Sequence, residues 1–224
     1  TGTQNVAVGA YALDANTTAD NNIAIGHNSL GGTTTGSANV SVGSQSLRAN
    51  TTGATNTGVG NESLLLNTTG SHNTAVGANA LDANTTADFN TAVGYRSLSA
   101  NTTGTPNTAE GGDALRENTT GNDNVAVGSG ALLNNTTASN NTAVGRSALL
   151  ANTTGAGSVA IGYEALTAST TGGEQVAIGY RALKSSTTNT DNVAIGYEAL
   201  EACTSGKNVA VGWNTLKADS GAVY

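Results

Sequence analysis

The feature that most constrains this chain is a phrase that returns every 17 residues. Aligned on N-x-A-x-G, the copies begin at Asn5, Asn22, Asn39, Asn56, Asn73, Asn90, Asn107, Asn124, Asn141, Ser158, Gln175, Asn192 and Asn208. Eleven spacings are 17 residues, and the last, from Asn192 to Asn208, is 16. A period this strict marks a stack of similar coils. Number the positions 1 to 17. Position 5 is Gly in every copy, from Gly9 to Gly212, and position 9 is Leu in every copy, from Leu13 to Leu216. Position 4 is Val or Ile in twelve copies and Glu110 in the other. Position 3 is Ala except at Ser41 and Gly58, position 8 is Ala, Ser or Thr, and positions 12 to 15 usually read N-T-T-G.

Such a unit is too short for the helix pairs of helical solenoids, which need about 30 residues or more. Positions 1 to 4 are rich in β-branched residues, which favour strand. Gly at position 5 marks a corner, and N-T-T-G marks a second one. The pattern predicts an all-β parallel β-roll of about thirteen coils, with one strand at positions 1–4 and a second at 7–9. The whole of residues 1–224 reads as one repeat domain, a rod on the order of 60 Å long at the usual strand spacing. Strand alternation puts positions 2 and 4 on one face. With Leu at position 9 they are assigned inward, and the Ala columns at 3 and 8 outward.

Stacking in register makes equal positions neighbours, so like charges should be avoided along each column. Position 7 runs Glu62, Asn79, Arg96, Asp113 and later Glu164, Arg181, Glu198. Position 10 runs Asp82, Ser99, Arg116 and later Lys184, Glu201, Lys217. Neither set places like charges side by side; Glu174 and Asp191 at position 17 are an exception, read as an exposed corner. The Asn column at position 1 suits an amide ladder. Position 6 becomes aromatic late in the chain, at Tyr163, Tyr180, Tyr197 and Trp213, and these rings should stack from coil to coil. That strip is the candidate binding surface for a protein or glycan, set against self-stacking that only stabilises its coils. Two large apolar residues per coil leave a lean core against the entropy of ordering the backbone. With small residues assigned to the outer face, the chain is expected to associate with copies of itself.

Composition excludes several classes. Net charge is −7 with 8 Lys and Arg, which disfavours nucleic acid and anionic membranes as partners. No apolar run reaches the roughly 18 residues of a membrane span. The single Cys203 allows no internal disulfide. His27 and His72 fall at different positions of different coils, and no nucleophile–base or metal-ligand spacing occurs. No enzyme activity, cofactor or metal site is therefore expected. Calcium-binding rolls carry a Gly-Gly-x-Gly-x-Asp rhythm that this chain lacks. The N-T-T triplets at Asn16, Asn50, Asn67, Asn84, Asn101, Asn118, Asn135 and Asn152 are glycosylation sequons, although turns favour Asn and Thr in any case. Glu110, assigned inward, should be costly to bury. It is read as a local defect, and Glu110→Val is expected to raise thermal stability.

SVAIGYEAL (158–166), QVAIGYRAL (175–183) and NVAIGYEAL (192–200) resemble the head repeats of YadA-like trimeric autotransporter adhesins. The N-T-A-x-G-x-x-A-L-x-x-N-T-T-G runs also resemble repeats of bacterial surface and phage tail-fibre-like proteins. The resemblance covers essentially the whole chain. It implies a left-handed β-roll, a homotrimer, and an adhesive or structural role outside a cell or on a virion fibre. The 17-residue period is longer than that of the adhesin heads, and no neck, heptad stalk or anchor is seen. TGTQ (1–4) and KADSGAVY (217–224) lack polar caps, so the chain is expected to be a section of a longer protein. Two alternative readings are a filament joined end to end and a monomeric ice-binding solenoid. Against the latter, T-T places its two hydroxyls on opposite faces of a strand.

Overall fold

A computed structural model describes residues 2–218, so most of the terminal KADSGAVY stretch lies outside it. The described residues contain thirteen three-residue strands and no helix. The chain divides into two units, residues 1–112 and 113–224. The first holds β1 (Val6–Val8), β2 (Ile23–Ile25), β3 (Val40–Val42), β4 (Thr57–Val59), β5 (Thr74–Val76), β6 (Thr91–Val93) and β7 (Thr108–Glu110). The second holds β8 (Val125–Val127), β9 (Thr142–Val144), β10 (Val159–Ile161), β11 (Val176–Ile178), β12 (Val193–Ile195) and β13 (Val209–Val211). Within each unit the strands pair in chain order and in parallel, and each unit is a β-solenoid. Equal positions face each other, as in Val6↔Ile23 and Val159↔Val176. The 16-residue spacing keeps this register, Val193↔Val209, because the missing residue is taken out of the corner. There the Asn192 and Asn208 amides both donate to Ser205 O, each at 3.2 Å.

Two sequence-based assignments are corrected. The first concerns the second strand. Positions 7 to 9 form turns, with φ between +50° and +58° at residues such as Gln45, Leu47, Glu198 and Leu200. Left-handed backbone is unfavourable for side chains bearing Cβ, by roughly 1–2 kcal/mol per residue. It persists because it lets adjacent residues point the same way. Ala165 and Leu166, like Ala182 and Leu183, are fully buried together, which a strand could not achieve. Coil-to-coil hydrogen bonds continue around this side, as in Leu166 N to Ala182 O at 3.0 Å.

The second correction turns the strand over. The small residues at position 3 face inward: Ala24, Ala75, Ala92, Ala160, Ala177 and Ala194 are all 0% exposed. The branched residues at positions 2 and 4 face out, with Val6, Val8, Ile23 and Ile25 all exposed. The interior is narrow. Once Leu at position 9 occupies it, only Ala, Ser or Gly fits opposite. Gly58 shows how tight this is: a Cβ there would come within 2.7 Å of Ser46 Oγ. That oxygen lies 2.9 Å from Ser63 Oγ. Glu110, at position 4, is therefore exposed and is no buried defect. The reason given above for its substitution by Val to stabilise the coil does not hold.

The other occupants of the interior are asparagines, in two columns. At position 1 the expected ladder is present. Asn39 Nδ2 donates to Asn22 Oδ1 at 3.2 Å and to Gly53 O at 2.9 Å. The second column, at position 12, was assigned to a surface corner. Instead Asn67 Nδ2 donates to Asn50 Oδ1 at 2.9 Å, and Asn84 Nδ2 to Asn67 Oδ1 at 2.8 Å. These amides also hold the position-15 carbonyls, as Asn67 Nδ2 holds Gly70 O at 2.9 Å. They satisfy inside the coil the backbone groups a tight corner would otherwise strand.

Among the coils that lack an Asn in one of these columns, the coil of Gln175 shows how the loss is compensated. Position 1 is Gln175, and position 12 is Ser169 in the coil before and Ser186 in its own. The longer Gln reaches across: its Nε2 lies 3.4 Å from Ser169 Oγ, and its Oε1 accepts from Ser186 Oγ at 3.0 Å and from Asn192 Nδ2 at 3.3 Å. Asn152 Oδ1, at the end of the regular ladder, is buried without a partner. Gln175→Asn alone is expected to destabilise by about 1–3 kcal/mol, since it strands buried hydroxyls. Adding Ser169→Asn and Ser186→Asn should rebuild the ladder and recover the loss. Denaturation midpoints of the single and triple variants check this.

Candidate functional surfaces

The aromatic strip forms as expected. Tyr163 and Tyr180 stack with ring centroids 5.3 Å apart and planes 15° from parallel, and Tyr180 and Tyr197 at 5.0 Å and 7°. Trp213 continues the column 6.3 Å from Tyr197 and is the most open ring, 74% exposed. The rings stack because position 6 follows the Gly corner, whose backbone repeats closely from coil to coil, with φ of +135°, +138° and +138° at Gly162, Gly179 and Gly196. Arg181 lies over the Tyr180 ring, 5.0 Å from its centroid, which adds a cation–π contact.

The charged columns beside the strip pair as their sequence order suggests. Glu164 Oε2 accepts from Arg181 Nε and Lys184 Nζ, each at 3.0 Å. Lys217 pairs with Glu198 and, at 3.4 Å, with Glu201. Lys184 first, then the Tyr163 hydroxyl, holds the Glu164 carboxyl below the ordinary glutamate range. Lys217 does the same for Glu198. A lowered folded value means that these pairs contribute fully above the ordinary range. The contribution fades as pH falls through the lowered values. Burial, then Glu198, pushes the Tyr197 hydroxyl up.

The threonines of N-T-T-G divide into two columns with different roles. At position 13 the hydroxyls of Thr34, Thr51, Thr68, Thr136 and Thr153 donate to the next coil's backbone, as Thr51 Oγ1 does to Thr68 O at 3.0 Å. Position 14, as at Thr52 and Thr69, is exposed. The sequons do not present their amides. Asn50, Asn67, Asn84, Asn101, Asn118, Asn135 and Asn152 are 0% exposed. Asn16 is half-buried, with Nδ2 3.3 Å from Ala19 O. The Nδ2 atom that would carry a glycan is engaged within the coil, so the folded chain has no room for one there.

The surface that sequence reasoning missed is the outer sheet face. In the first unit it carries Val6, Val8, Ile23, Ile25, Val40, Val42, Val59, Val76 and Val93, interspersed with threonines, and ends at Thr108 and Glu110. In the second it carries Val125, Val127, Thr142, Val144, the Val/Ile pairs of β10 to β12, and Val209 and Val211 of β13. Its signal was present in V-A-V, where the small residue between two branched ones marks the crowded side. Among the described residues there is no enclosed pocket and no grouping of three or more His, Cys, Asp or Glu able to hold a metal. Among the same residues no helix is long and apolar enough to cross a membrane. No protein-family model, curated protein or solved structure matches the chain.

Proposed function

We propose that this chain is a structural or adhesive element outside a cell or on a virion fibre, and that it works as a homotrimer. The observation that carries the reading is the outer sheet face. Val8 is 55% exposed, Ile25 40%, Ile161 38% and Ile195 37%. Each unit thus shows branched aliphatics at positions 2 and 4, interrupted by threonines such as Thr57, Thr74 and Thr142 and by Glu110; so many are unusual on a monomer, whose largest apolar patch is about 300–600 Å² and often functional. Closed symmetry lets one face bury itself against copies of itself. The likeness of the S-V-A-I-G phrases to trimeric adhesin heads favours three copies over two. In the second unit this face holds no charge, so its burial strands none. Glu110 is the one ionisable side chain in the two columns, and its neighbours on β6, Thr91 and Val93, offer it no cation. Glu110→Val is thus expected to act on association, not on folding of the single coil.

Val144→Lys with Ile178→Lys tests the face. Both residues are outward, so the coil should keep its fold by circular dichroism while light scattering shows single chains. An unchanged assembly in that variant contradicts the proposal. The adhesive role is tested by coating beads with the assembled protein and measuring retention on cells, before and after protease or glycosidase treatment.

A further inference from the structure

The tyrosine column has a chemical property that does not depend on association. Tyr180 lies between two near-parallel tyrosine rings, 5.3 Å from one and 5.0 Å from the other. Tyr197 is 43% exposed, so a soluble oxidant can reach the column. Glu198 and Glu164 follow Tyr197 and Tyr163 directly in the chain, and both carboxylates are held in ion pairs beside the column, to Lys217 and to Arg181 and Lys184. The proton that each phenol releases when its ring loses an electron passes to solvent, which reaches the exposed edge of the column. Other tyrosines differ. Tyr11 is 64% exposed and meets only the edge of His27, at 5.9 Å. Tyr95 is 54% exposed and has Arg96 over its ring.

We propose that Tyr163, Tyr180 and Tyr197 form an oxidative cross-linking site, in which a dityrosine bond joins adjacent coils within one chain. The oxidant is a peroxide delivered through a peroxidase. Each of two phenols gives up one electron and one proton. The two tyrosyl radicals join through ring carbons beside their hydroxyls, and the displaced ring hydrogens return to the oxygens. The chain loses two hydrogen atoms in all, and one peroxide becomes two waters. A radical on Tyr11 or Tyr95 must wait for another molecule, whereas one on Tyr180 already has a partner in place. Holding reactants together raises their effective concentration by orders of magnitude. Tyr180–Tyr197 is the favoured pair, because it is closer and more nearly parallel. The product is a covalent staple between coils already held by hydrogen bonds.

The test treats the purified chain with hydrogen peroxide and peroxidase. The expected product has the mass of one chain less two hydrogens and shows dityrosine fluorescence. Digestion should give a cross-link between the peptide holding Tyr180 and the peptide holding Tyr197. Its yield should not fall on dilution. Tyr180→Phe keeps a stacking ring and should abolish the intrachain product, while Tyr197→Phe should leave only the Tyr163–Tyr180 link. Tyr11→Phe and Tyr95→Phe should change nothing. Cross-links formed only between chains and lost on dilution, or an intrachain product that survives Tyr180→Phe, would overturn the assignment.

Discussion

Replacing Gly145 with alanine is expected to open the coils around it, at a cost of about 3–5 kcal/mol. Gly145 has φ +132°, and a Cβ there would sit 2.5 Å from Gly162 O and 2.7 Å from its carbonyl carbon. The backbone conformation alone costs a non-glycine residue on the order of 1–3 kcal/mol. Overpacking adds about 1–3 kcal/mol more. The obstructing atoms are backbone of the neighbouring coil, so no side chain can turn away. Position 5 is Gly in all thirteen copies, whereas position 15 accepts Ala19, Ala87 and Ala138; a Cβ at Gly70 would also lie 2.4 Å from a backbone oxygen, so the positive φ, which Gly70 lacks, separates the two. Gly130 supplies the control. It too has positive φ, at +67°, but its Cβ would meet only side-chain atoms, the nearest at 3.7 Å. Gly130→Asn should therefore be nearly neutral, since Asn tolerates left-handed backbone. Because a solenoid can open locally, hydrogen exchange read coil by coil is the suitable measurement. Gly145→Ala should accelerate exchange around coils nine and ten first.

The second large effect is expected from Asn67→Ala. Asn67 is fully buried and makes three hydrogen bonds, to Asn50, Gly70 and Asn84. Alanine removes all three and leaves groups on two neighbouring coils short of partners. Each buried group left unsatisfied costs about 1–3 kcal/mol, so a total of about 3–5 kcal/mol is expected from the denaturation midpoint. Thr69→Ala, two residues away on the exposed position-14 column, should stay within about 0.5 kcal/mol. A corner in which Asn serves only as a turn former would give similar, small losses at both sites.

That contrast shows what could be read from the sequence and what could not. The coil boundaries, the in-register stacking, the Gly corner, the charge pairs of Glu164 and Lys217 and the Tyr163–Trp213 column all follow from a fixed period. Once equal positions are neighbours, their chemistry is readable. The direction of each side chain was not. Alternation in V-A-V is satisfied by either face, and burying the larger residues is the usual choice in a broad core. This interior is too narrow for it. Nor does a strand pattern reveal that Leu47 and Leu200 sit at positive φ, because leucine does not favour that conformation. It is imposed by the ladder of neighbouring coils and by the gain from burying position 9. Asn at position 12 looked like a turn residue because turns favour Asn. Its recurrence at Asn50, Asn67, Asn84 and Asn101, beside freely varying positions 16 and 17, was the clue that it is internal.

The inverted strand also moves the argument for association onto firmer ground. An outer face of alanines only permits close approach, whereas an outer face of valine and isoleucine gains free energy from it, roughly 25 cal/mol per Å² of apolar surface removed from water. The claim that this face is covered by copies of the same chain is tested most directly by the native mass of the unmodified protein. At micromolar concentration and moderate ionic strength, native mass spectrometry should show a particle of three chains of 21.9 kDa each. A stable single-chain particle under those conditions would contradict it.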